Sequence, residues 1–208
     1  MRNLFLLFIF LANPVWAQWT SKVGINLPPL IGSSLEVTSE FSNREWYAVT
    51  VDFGYTFNTH FRGFYDDKVW DGYKDLRTSG VYGRLGFRLY TREFGPSQKV
   101  RFYLNPLWVV SNYSQSARFF DVMSTQPLGE GEPVKVQGTV LVPGLRLGFT
   151  RVLNRRFMLD FGVQKTLNPP RNNLIGLRKD NYQPGVGSTN VTPWLDYLQG
   201  YFSFKFIF

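Results

Sequence analysis

A strict two-residue alternation of side-chain character is the feature that most narrows what this chain can fold into. It is clearest at residues 47–57, where the odd positions are apolar or aromatic and the even positions are small or polar. Successive side chains of a β-strand point to opposite faces, whereas a helix repeats about every 3.6 residues. The segment is therefore predicted to be a strand with one apolar face and one polar face.

The same alternation returns along the chain. Eight runs show it, at residues 22–27, 35–41, 47–57, 81–90, 100–108, 141–150, 157–164 and 202–208. No run after residue 18 approaches the roughly 20 consecutive apolar residues of a membrane-spanning helix. The sequence therefore predicts an all-β chain with eight antiparallel strands.

The connections between these runs differ in length. They fall at about 28–33, 42–44, 58–79, 92–98, 111–136, 152–155 and 168–195, and from the third onward long and short ones take turns. Bacterial outer-membrane barrels have short turns at the periplasmic end and long loops at the extracellular end. We therefore predict an eight-stranded antiparallel up-and-down transmembrane β-barrel with short periplasmic turns and long extracellular loops.

The composition of the two faces indicates which of them points outward. Aromatic residues make up 18% of the chain, with twenty Phe, and the polar face consists mainly of Gly, Tyr, Thr, Ser and Arg. A soluble up-and-down barrel of the lipocalin kind also alternates, but it turns its apolar face inward. So many phenylalanines would overfill that small interior. We expect the apolar face to contact lipid, with the soluble barrel as the alternative.

The first seventeen residues have the pattern of a secretory signal peptide. Arg2 gives the positive start, residues 4–12 form an apolar stretch too short to span a bilayer, and residues 15–17 suit cleavage before Gln18. We therefore predict a cleaved signal at 1–17 and one barrel domain at 18–208, integral to the outer membrane. The chain contains no cysteine, which excludes disulfides and thiolate chemistry.

The last residues, 201–208 (YFSFKFIF), carry a terminal Phe preceded by apolar residues at alternating positions. This segment resembles the C-terminal signature of the outer-membrane β-barrel proteins of Gram-negative bacteria. Residues 22–40 (KVGINLPPLIGSSLEVTSE) look like the opening hairpin of small, eight-stranded members of that superfamily. In that superfamily the barrel assembly machinery recognises the last strand. The resemblance implies this role for Phe202, Phe204, Phe206 and Phe208.

Charged residues of both signs fall on the polar face of the runs. They are Lys22, Glu36, Glu40, Asp52, Arg84, Arg88, Arg101, Arg146, Asp160 and Lys205. The interior of an eight-stranded barrel is only wide enough for side chains to fill, and buried charges without partners are costly. We therefore predict a network of Arg–carboxylate bridges inside the barrel. The tyrosines expected to be hydrogen-bonded among them are Tyr82, Tyr90, Tyr103 and Tyr201. A gated basic path for a small anion is the alternative.

An enzyme is a second alternative. His60 is the only histidine and lies at the outer end of the third run, where some outer-membrane barrels that modify lipid A or cleave peptides hold a catalytic histidine. Its candidate companions for acid–base chemistry are Asp66, Asp67, Asp71, Ser111 and Ser114. No motif at catalytic or metal-ligand spacing accompanies it. We expect a protein that is not an enzyme and that needs no metal or cofactor.

The long connections are rich in aromatic residues. Exposed aromatics at loop tips can bind proteins or glycans, and packing over the barrel mouth or in the headgroup layer is the alternative. These residues are Phe61, Phe64, Tyr65, Trp70, Tyr73, Phe119, Phe120, Tyr182 and Trp194. We therefore predict a structural, adhesive or partner-binding role in the cell envelope for a monomeric or weakly associating barrel.

The charge of the chain indicates which surface it meets. The formal net charge is +8, and the short-turn end is basic. Its cations are Arg44, Arg92, Lys99, Arg151, Arg155 and Arg156. We expect the protein to contact the anionic headgroups of lipopolysaccharide and phospholipid. Nucleic acid is not an expected partner, because the sequence contains no nucleic-acid-binding motif.

Overall fold

The computed structural model describes residues 19–43, 46–59, 73–91, 93, 100–120, 131–169, 175, 182–189 and 195–208. These residues form the strands β1 (Trp19–Asn26), β2 (Ser34–Asn43), β3 (Tyr47–Thr59), β4 (Tyr73–Tyr90), β5 (Val100–Phe119), β6 (Glu132–Val152), β7 (Phe157–Thr166), β8 (Tyr182–Gln183), β9 (Gly187–Ser188) and β10 (Leu198–Ile207). A 3-10 turn, Pro28–Gly32, joins β1 to β2. The predicted signal peptide lies outside the described residues. Within them, no helix is both long and apolar enough to cross a lipid bilayer.

Eight of the strands close into a barrel. Around the ring, each strand is antiparallel to the next in the order β1, β2, β3, β4, β5, β6, β7 and β10, and β10 pairs with β1. The closing pairs run from Lys22 opposite Ile207 to Asn26 opposite Ser203. The predicted eight-stranded antiparallel barrel is thereby confirmed. We call the end that holds Trp19 and Phe208 the terminal end, and the opposite end the loop end.

The alternation of the sequence becomes the difference between the two faces of the barrel wall. In β3, the side chain of Asp52 points inward and is 2% exposed, whereas that of Phe53 points outward and is 62% exposed. The outward apolar side chains form what we call the apolar belt. It comprises Val23, Ile25, Leu35, Val37, Val51, Phe53, Tyr55, Phe57, Val81, Leu85, Phe87, Leu89, Leu104, Trp108, Val110, Leu141, Phe149, Phe161, Val163, Leu198, Phe202 and Phe204. The alternative of a barrel with an apolar interior and a polar exterior is therefore wrong.

β4, β5 and β6 are longer than the alternation predicted. β4 begins at Tyr73 rather than near 80, β5 continues to Phe119 rather than ending near 110, and β6 begins at Glu132 rather than near 137. The extra residues remain paired, as Ser114 does with Gln137. Both of these side chains belong to the outward face. This face is polar in the extension, so the apolar–polar alternation stops although the strands continue.

Part of the segment between β7 and β10 folds back into the barrel. Residues 182–189, which we call the plug hairpin, pair β8 with β9 and are buried except for the half-buried Ser188. At its turn, Gly185 has a φ of +71°, and a Cβ there would meet the ring of Tyr82 on the barrel wall. Of the two alternatives for Tyr182, an exposed loop tip is wrong and packing at the barrel mouth is closer to the structure, because the hairpin carries this residue into the lumen, where it is 8% exposed.

Candidate functional site

Two clusters of buried charges fill the lumen. The lower cluster, towards the terminal end, joins Glu40 and Asp160 to Lys22, Arg88 and Lys205. The Nζ atom of Lys22 lies 2.6 Å from Oε1 of Glu40. Nη1 of Arg88 lies 2.9 Å from Oε2 of Glu40 and 2.7 Å from Oδ2 of Asp160. Nζ of Lys205 lies 3.1 Å and 2.7 Å from the same two oxygens, so Arg88 and Lys205 each bridge both carboxylates.

Strand register and aromatic neighbours position the lower cluster. Lys22 and Glu40 are directly opposite each other on β1 and β2. Arg88 reaches them from β4, and its guanidinium lies 3.9 Å from the centre of the Tyr103 ring. The hydroxyl of Tyr90 donates a hydrogen bond of 2.5 Å to Oε1 of Glu40. Glu40 therefore receives four polar contacts in a site that water does not reach.

The upper cluster, nearer the plug hairpin, joins Glu36 and Asp52 to Arg84 and Arg146. Nη1 of Arg84 lies 2.7 Å from Oε1 of Glu36 and 3.8 Å from Oδ2 of Asp52. Nη2 of Arg146 pairs with the same Asp52 oxygen. Arg146 extends from β6 and Asp52 from β3, so this pair crosses the lumen between strands that are not neighbours.

Neutral side chains complete the upper cluster. Tyr82 donates a hydrogen bond of 2.7 Å to Oε2 of Glu36, and the Asn26 amide donates one of 2.8 Å to Oε1. Gln164 accepts a hydrogen bond of 2.8 Å from Nη2 of Arg146, whose guanidinium lies 3.9 Å from the centre of the Tyr201 ring. Of the four tyrosines expected to be hydrogen-bonded among the charges, Tyr82 and Tyr90 bond to carboxylates, and Tyr201 shares a hydrogen bond of 3.0 Å with Thr38. The prediction is wrong for Tyr103, whose buried hydroxyl has no hydrogen-bond partner among the described residues, although its ring lies against Arg88.

Nine of the ten charged residues expected in the lumen belong to these clusters, which we together call the lumen network. Arg101 does not. It lies beside Val100, the first residue of β5, is partly exposed, and pairs its guanidinium with Glu93. The strand starts too close to the terminal end for Arg101 to be enclosed. The lumen network itself holds five cations and four carboxylates, an excess of one positive charge.

The chemistry of the lumen network is that of ion pairing. Each of its four carboxylates lies within 4 Å of at least one cation. Such contacts offset the large cost of removing charges from water, and removing one partner leaves an uncompensated buried charge. No group of three or more His, Cys, Asp or Glu side chains in the described part of the chain could hold a metal ion. The network therefore fastens opposite walls of the barrel to each other.

The plug hairpin is held by the barrel wall on several sides. Nη2 of Arg84 donates a hydrogen bond of 2.9 Å to the carbonyl oxygen of Gly185, and Thr166 donates one of 2.8 Å to that of Val186. The Gln115 amide donates to the carbonyl oxygen of Tyr182 at 3.2 Å. Burial raises the pKa of the Tyr182 phenol. Its neutral hydroxyl lies 3.2 Å from that of Ser34.

An apolar layer surrounds the plug hairpin inside the loop end of the barrel. Val186 of the hairpin packs among inward side chains of β5 and β6 and against Tyr197. The wall residues of this layer are Leu107, Val109, Tyr113, Val140 and Val142. Sequence reasoning missed this layer. Its signal was the runs 107–110 and 140–142, in which neighbouring residues are all apolar, so that the inward face of the strand is apolar there as well as the outward face.

The residues of the enzyme alternative are only partly described. His60, Asp66, Asp67 and Asp71 lie outside the described residues. Ser111 is buried on the inner face of β5, and Ser114 belongs to its outer face. The two serines therefore point to opposite sides of one strand, and a single site cannot use both.

The four phenylalanines of the C-terminal signature lie on the outward face at the end of the chain. Phe202 and Phe204 are exposed within β10, Phe206 is half-buried, and Phe208 is exposed. The rings of Phe204 and Phe206 both contact that of Phe157 on β7, with centroids 5.1 Å and 5.5 Å away. Their recognition by the assembly machinery remains a prediction.

Comparisons with known proteins reveal a loose similarity to solved structures. No protein-family model matches the sequence, and no curated protein matches it. Among solved structures, the chain is similar to the N-terminal β-barrel domain of Pseudomonas aeruginosa OprF, at 8% sequence identity and a TM-score of 0.42, over 92% of this chain and 98% of that one. Because the superposition is loose, the closed eight-stranded barrel rests on the strand pairing of this chain itself.

Proposed function

We propose that this protein is an integral outer-membrane β-barrel of the Gram-negative cell envelope, with a plugged lumen and a structural or partner-binding role. The observation that carries the proposal is the reversal of the usual distribution of side chains. The apolar belt covers the outside, while the lumen network is enclosed. A protein in water would solvate its charges and bury most of its large apolar side chains. A lipid bilayer favours the arrangement seen here.

The continuity of the apolar belt supports a lipid partner over a protein partner. Aromatic rings on neighbouring strands touch across the outer face, as in Tyr47 with Phe87 and Phe149 with Phe161, whose centroids are 5.8 Å and 5.7 Å apart. Belt residues occur on all eight strands of the barrel. A protein interface would occupy one side, whereas a bilayer surrounds the barrel.

The filled lumen supports a structural or partner-binding role over free diffusion of solutes. Arg88 connects β4 to Asp160 on β7, and Arg146 connects β6 to Asp52 on β3. The plug hairpin occupies the lumen above these ion pairs. A solute would have to break several buried charge contacts and displace the hairpin to pass. We therefore propose that contacts with partners are made from the loop end.

Membrane insertion and plugging are tested on the protein expressed with its predicted signal peptide, residues 1–17. We expect it to fractionate with the outer membrane, to need detergent for solubility, and to migrate faster on a gel before boiling than after it. In planar bilayers the purified barrel is expected to be electrically silent. A stable monomer in detergent-free buffer would refute the membrane proposal.

A gated path for small anions is the second candidate function. The observation that favours it is the excess of one cation in the lumen network, which would give any open state a preference for anions. Steady anion-selective conductance of the wild-type barrel would replace the plugged structural role with this one. Conductance that occurs only in variants whose plug hairpin is loosened would support the proposal that the hairpin plugs the lumen.

We propose that the protein is not an enzyme. Each of the four carboxylates of the lumen network is paired with at least one cation and faces the enclosed lumen instead of a cleft. The test is the lipid A composition of a host that expresses the wild-type protein or the His60→Ala variant. A change in lipid A with the wild type that His60→Ala abolishes would restore the enzyme alternative.

A further inference from the structure

A cavity of about 360 Å³ opens at the loop end beside the β7–β10 edge. Residues 165–169, at and after the end of β7, form one side of it, and residues 196–197, just before β10, form the other. The polar residues that line it are Lys165, Asn168 and Asp196, together with Thr166 and Tyr197, which carry hydroxyls. It lies outside the lumen network and shares no residue with it.

Lys165 ties this cavity to the outer surface of the barrel. It lies opposite Leu145 on β6 and Leu198 on β10, within an outward row. Along its own strand, the outward neighbours are Val163 and Leu167, which are 46% and 45% exposed. The flexible stem of a lysine flanked by four apolar side chains can lie along the apolar belt while its ammonium reaches the margin, where β7 ends.

The backbone around the cavity is held in place. Tyr197 has a φ of +57°, a left-handed conformation that is uncommon for a bulky residue and indicates that its surroundings constrain it. Tyr197 donates its backbone N–H to the carbonyl oxygen of Ser188 in the plug hairpin, at 2.8 Å, and its ring packs against Val186. The cavity is therefore preformed, and the plug hairpin supports its wall.

The chemistry of the cavity is that of an amphiphile site. A cation and hydrogen-bonding groups converge in the cavity, and exposed leucines at its rim continue into the apolar belt. We propose that this cavity binds the phosphorylated sugar head of a glycolipid of the lipopolysaccharide type. Lys165 meets a phosphate, Asn168 and Asp196 meet sugar hydroxyls, and Leu167 and Leu198 contact the acyl chains. This assignment rests on the proposed function, which turns the loop end toward the outer leaflet.

The carboxylate in the cavity distinguishes a glycolipid from a free phosphate ion. Asp196 repels an isolated phosphate but accepts hydrogen bonds from hydroxyl or amine groups of a sugar. A glycerophospholipid supplies a phosphate but few hydroxyls. The ligand that uses both Lys165 and Asp196 is therefore one that carries a phosphate and a hydroxyl-rich ring together.

Native mass spectrometry of the full barrel released from detergent tests the assignment. The added lipids are lipid A, dephosphorylated lipid A and phosphatidylglycerol, with inorganic phosphate as competitor. We expect one tightly held lipid A per barrel. Lys165→Gln should weaken its apparent affinity by about tenfold, because a charge-assisted hydrogen bond to phosphate is lost. The matched control Lys135→Gln removes an exposed cation on β6, outside the cavity, and should leave the affinity unchanged.

Asp196→Asn gives a second test, which holds even where Lys165→Gln folds poorly. It should weaken lipid A binding and leave phosphatidylglycerol binding unchanged. The assignment is overturned if dephosphorylated lipid A binds as well as lipid A, if inorganic phosphate displaces it, or if Lys165→Gln and Asp196→Asn both bind like the wild type. A barrel that inserts into bilayers yet fails these tests rejects the glycolipid site alone, whereas one that does not insert rejects the proposed function.

Discussion

The guanidinium of Arg84 is shared between Glu36 in the barrel wall and the carbonyl oxygen of Gly185 in the plug hairpin. Nη1 lies 2.7 Å from the carboxylate, and Nη2 lies 2.9 Å from the carbonyl oxygen. One side chain on β4 thus joins the lumen network to the segment that closes the lumen above it. The stability of the charge cluster and the position of the plug hairpin are therefore coupled.

Arg84→Gln should both destabilise the barrel and loosen the plug hairpin. It leaves Glu36 buried without its cation, for which we expect a loss of about 3 kcal/mol in the free energy of unfolding, measured by urea titration in detergent micelles. In planar bilayers it should convert a silent barrel into one with brief openings. Gln199→Leu is the comparison variant, because Gln199 donates to the same Gly185 oxygen at 3.3 Å and accepts a hydrogen bond of 3.2 Å from Arg84, but serves no ion pair. Openings with little loss of stability are expected for Gln199→Leu. If Arg84→Gln is unstable but silent, the guanidinium does not hold the hairpin.

Glu40 and Lys22 provide a second comparison, because they are partners with unequal burial. Glu40 is fully buried and contacts three cations, whereas the Lys22 side chain is 14% exposed and contacts Glu40 alone among the carboxylates of the described residues. Glu40→Gln should cost about 3–5 kcal/mol, because it leaves the buried Arg88 and Lys205 to share Asp160 as their one carboxylate partner in the lumen network. Lys22→Gln should cost about 1 kcal/mol or less, since water reaches it. The measurement is the temperature at which the unboiled, fast-migrating form is lost on a gel. Equal losses for both variants would contradict the central position of Glu40.

The charged interior was predictable from the same alternation of side chains that made the strands predictable. Asp52 falls between Val51 and Phe53, so once the apolar face is assigned to the outside, the carboxylate must be inside. A narrow barrel then forces buried charges of opposite sign together. Individual partners did not follow from the sequence. Arg146 meets Asp52 across the lumen, between β6 and β3, and such pairs depend on the stagger of all intervening strands.

The plug hairpin and the extended strands could not be predicted, for a related reason. Alternation reports only where one face of a strand is apolar and the other polar. Ser114 and Gln115 are both polar although they lie on opposite faces of β5, so the strand looks like a loop. The plug hairpin has only two residues in each strand, too few to show any period. Its position depends on contacts from distant strands, such as that of Thr166 with Val186.

Substituting Gly54 or Gly83 by alanine compares two effects on stability. One is the loss of space that a lumen side chain needs, and the other is the gain from removing a flexible glycine from a strand. A Cβ on Gly54 would lie 2.1 Å from Cζ of Tyr82, whose hydroxyl holds Glu36, whereas a Cβ on Gly83 would meet nothing closer than 3.6 Å. Gly54→Ala should therefore displace the Tyr82 ring from Glu36 and cost about 1–3 kcal/mol, as overpacking does. Gly83→Ala should be neutral or stabilise by about 0.5–1 kcal/mol. Urea titrations of both variants measure this. A Gly54→Ala barrel as stable as the wild type would mean that Tyr82 has room to move.

Arginine substitutions at Leu85 and Phe57 test whether the apolar belt contacts lipid, because the two positions are expected to lie at different depths in the bilayer. Leu85 is 58% exposed in the middle of a long strand, and Phe57 is 52% exposed near the loop end of β3. An arginine on the lipid face of a barrel costs about 2–4 kcal/mol at the bilayer midplane and about 0–1 kcal/mol near the interface. Leu85→Arg should thus lower the folding free energy in lipid vesicles by the larger amount and Phe57→Arg by the smaller. In water, the two positions would be equivalent, because a charge on either exposed site remains solvated. Equal effects, or a Leu85→Arg protein that becomes a folded monomer without detergent, would show that the belt does not face acyl chains.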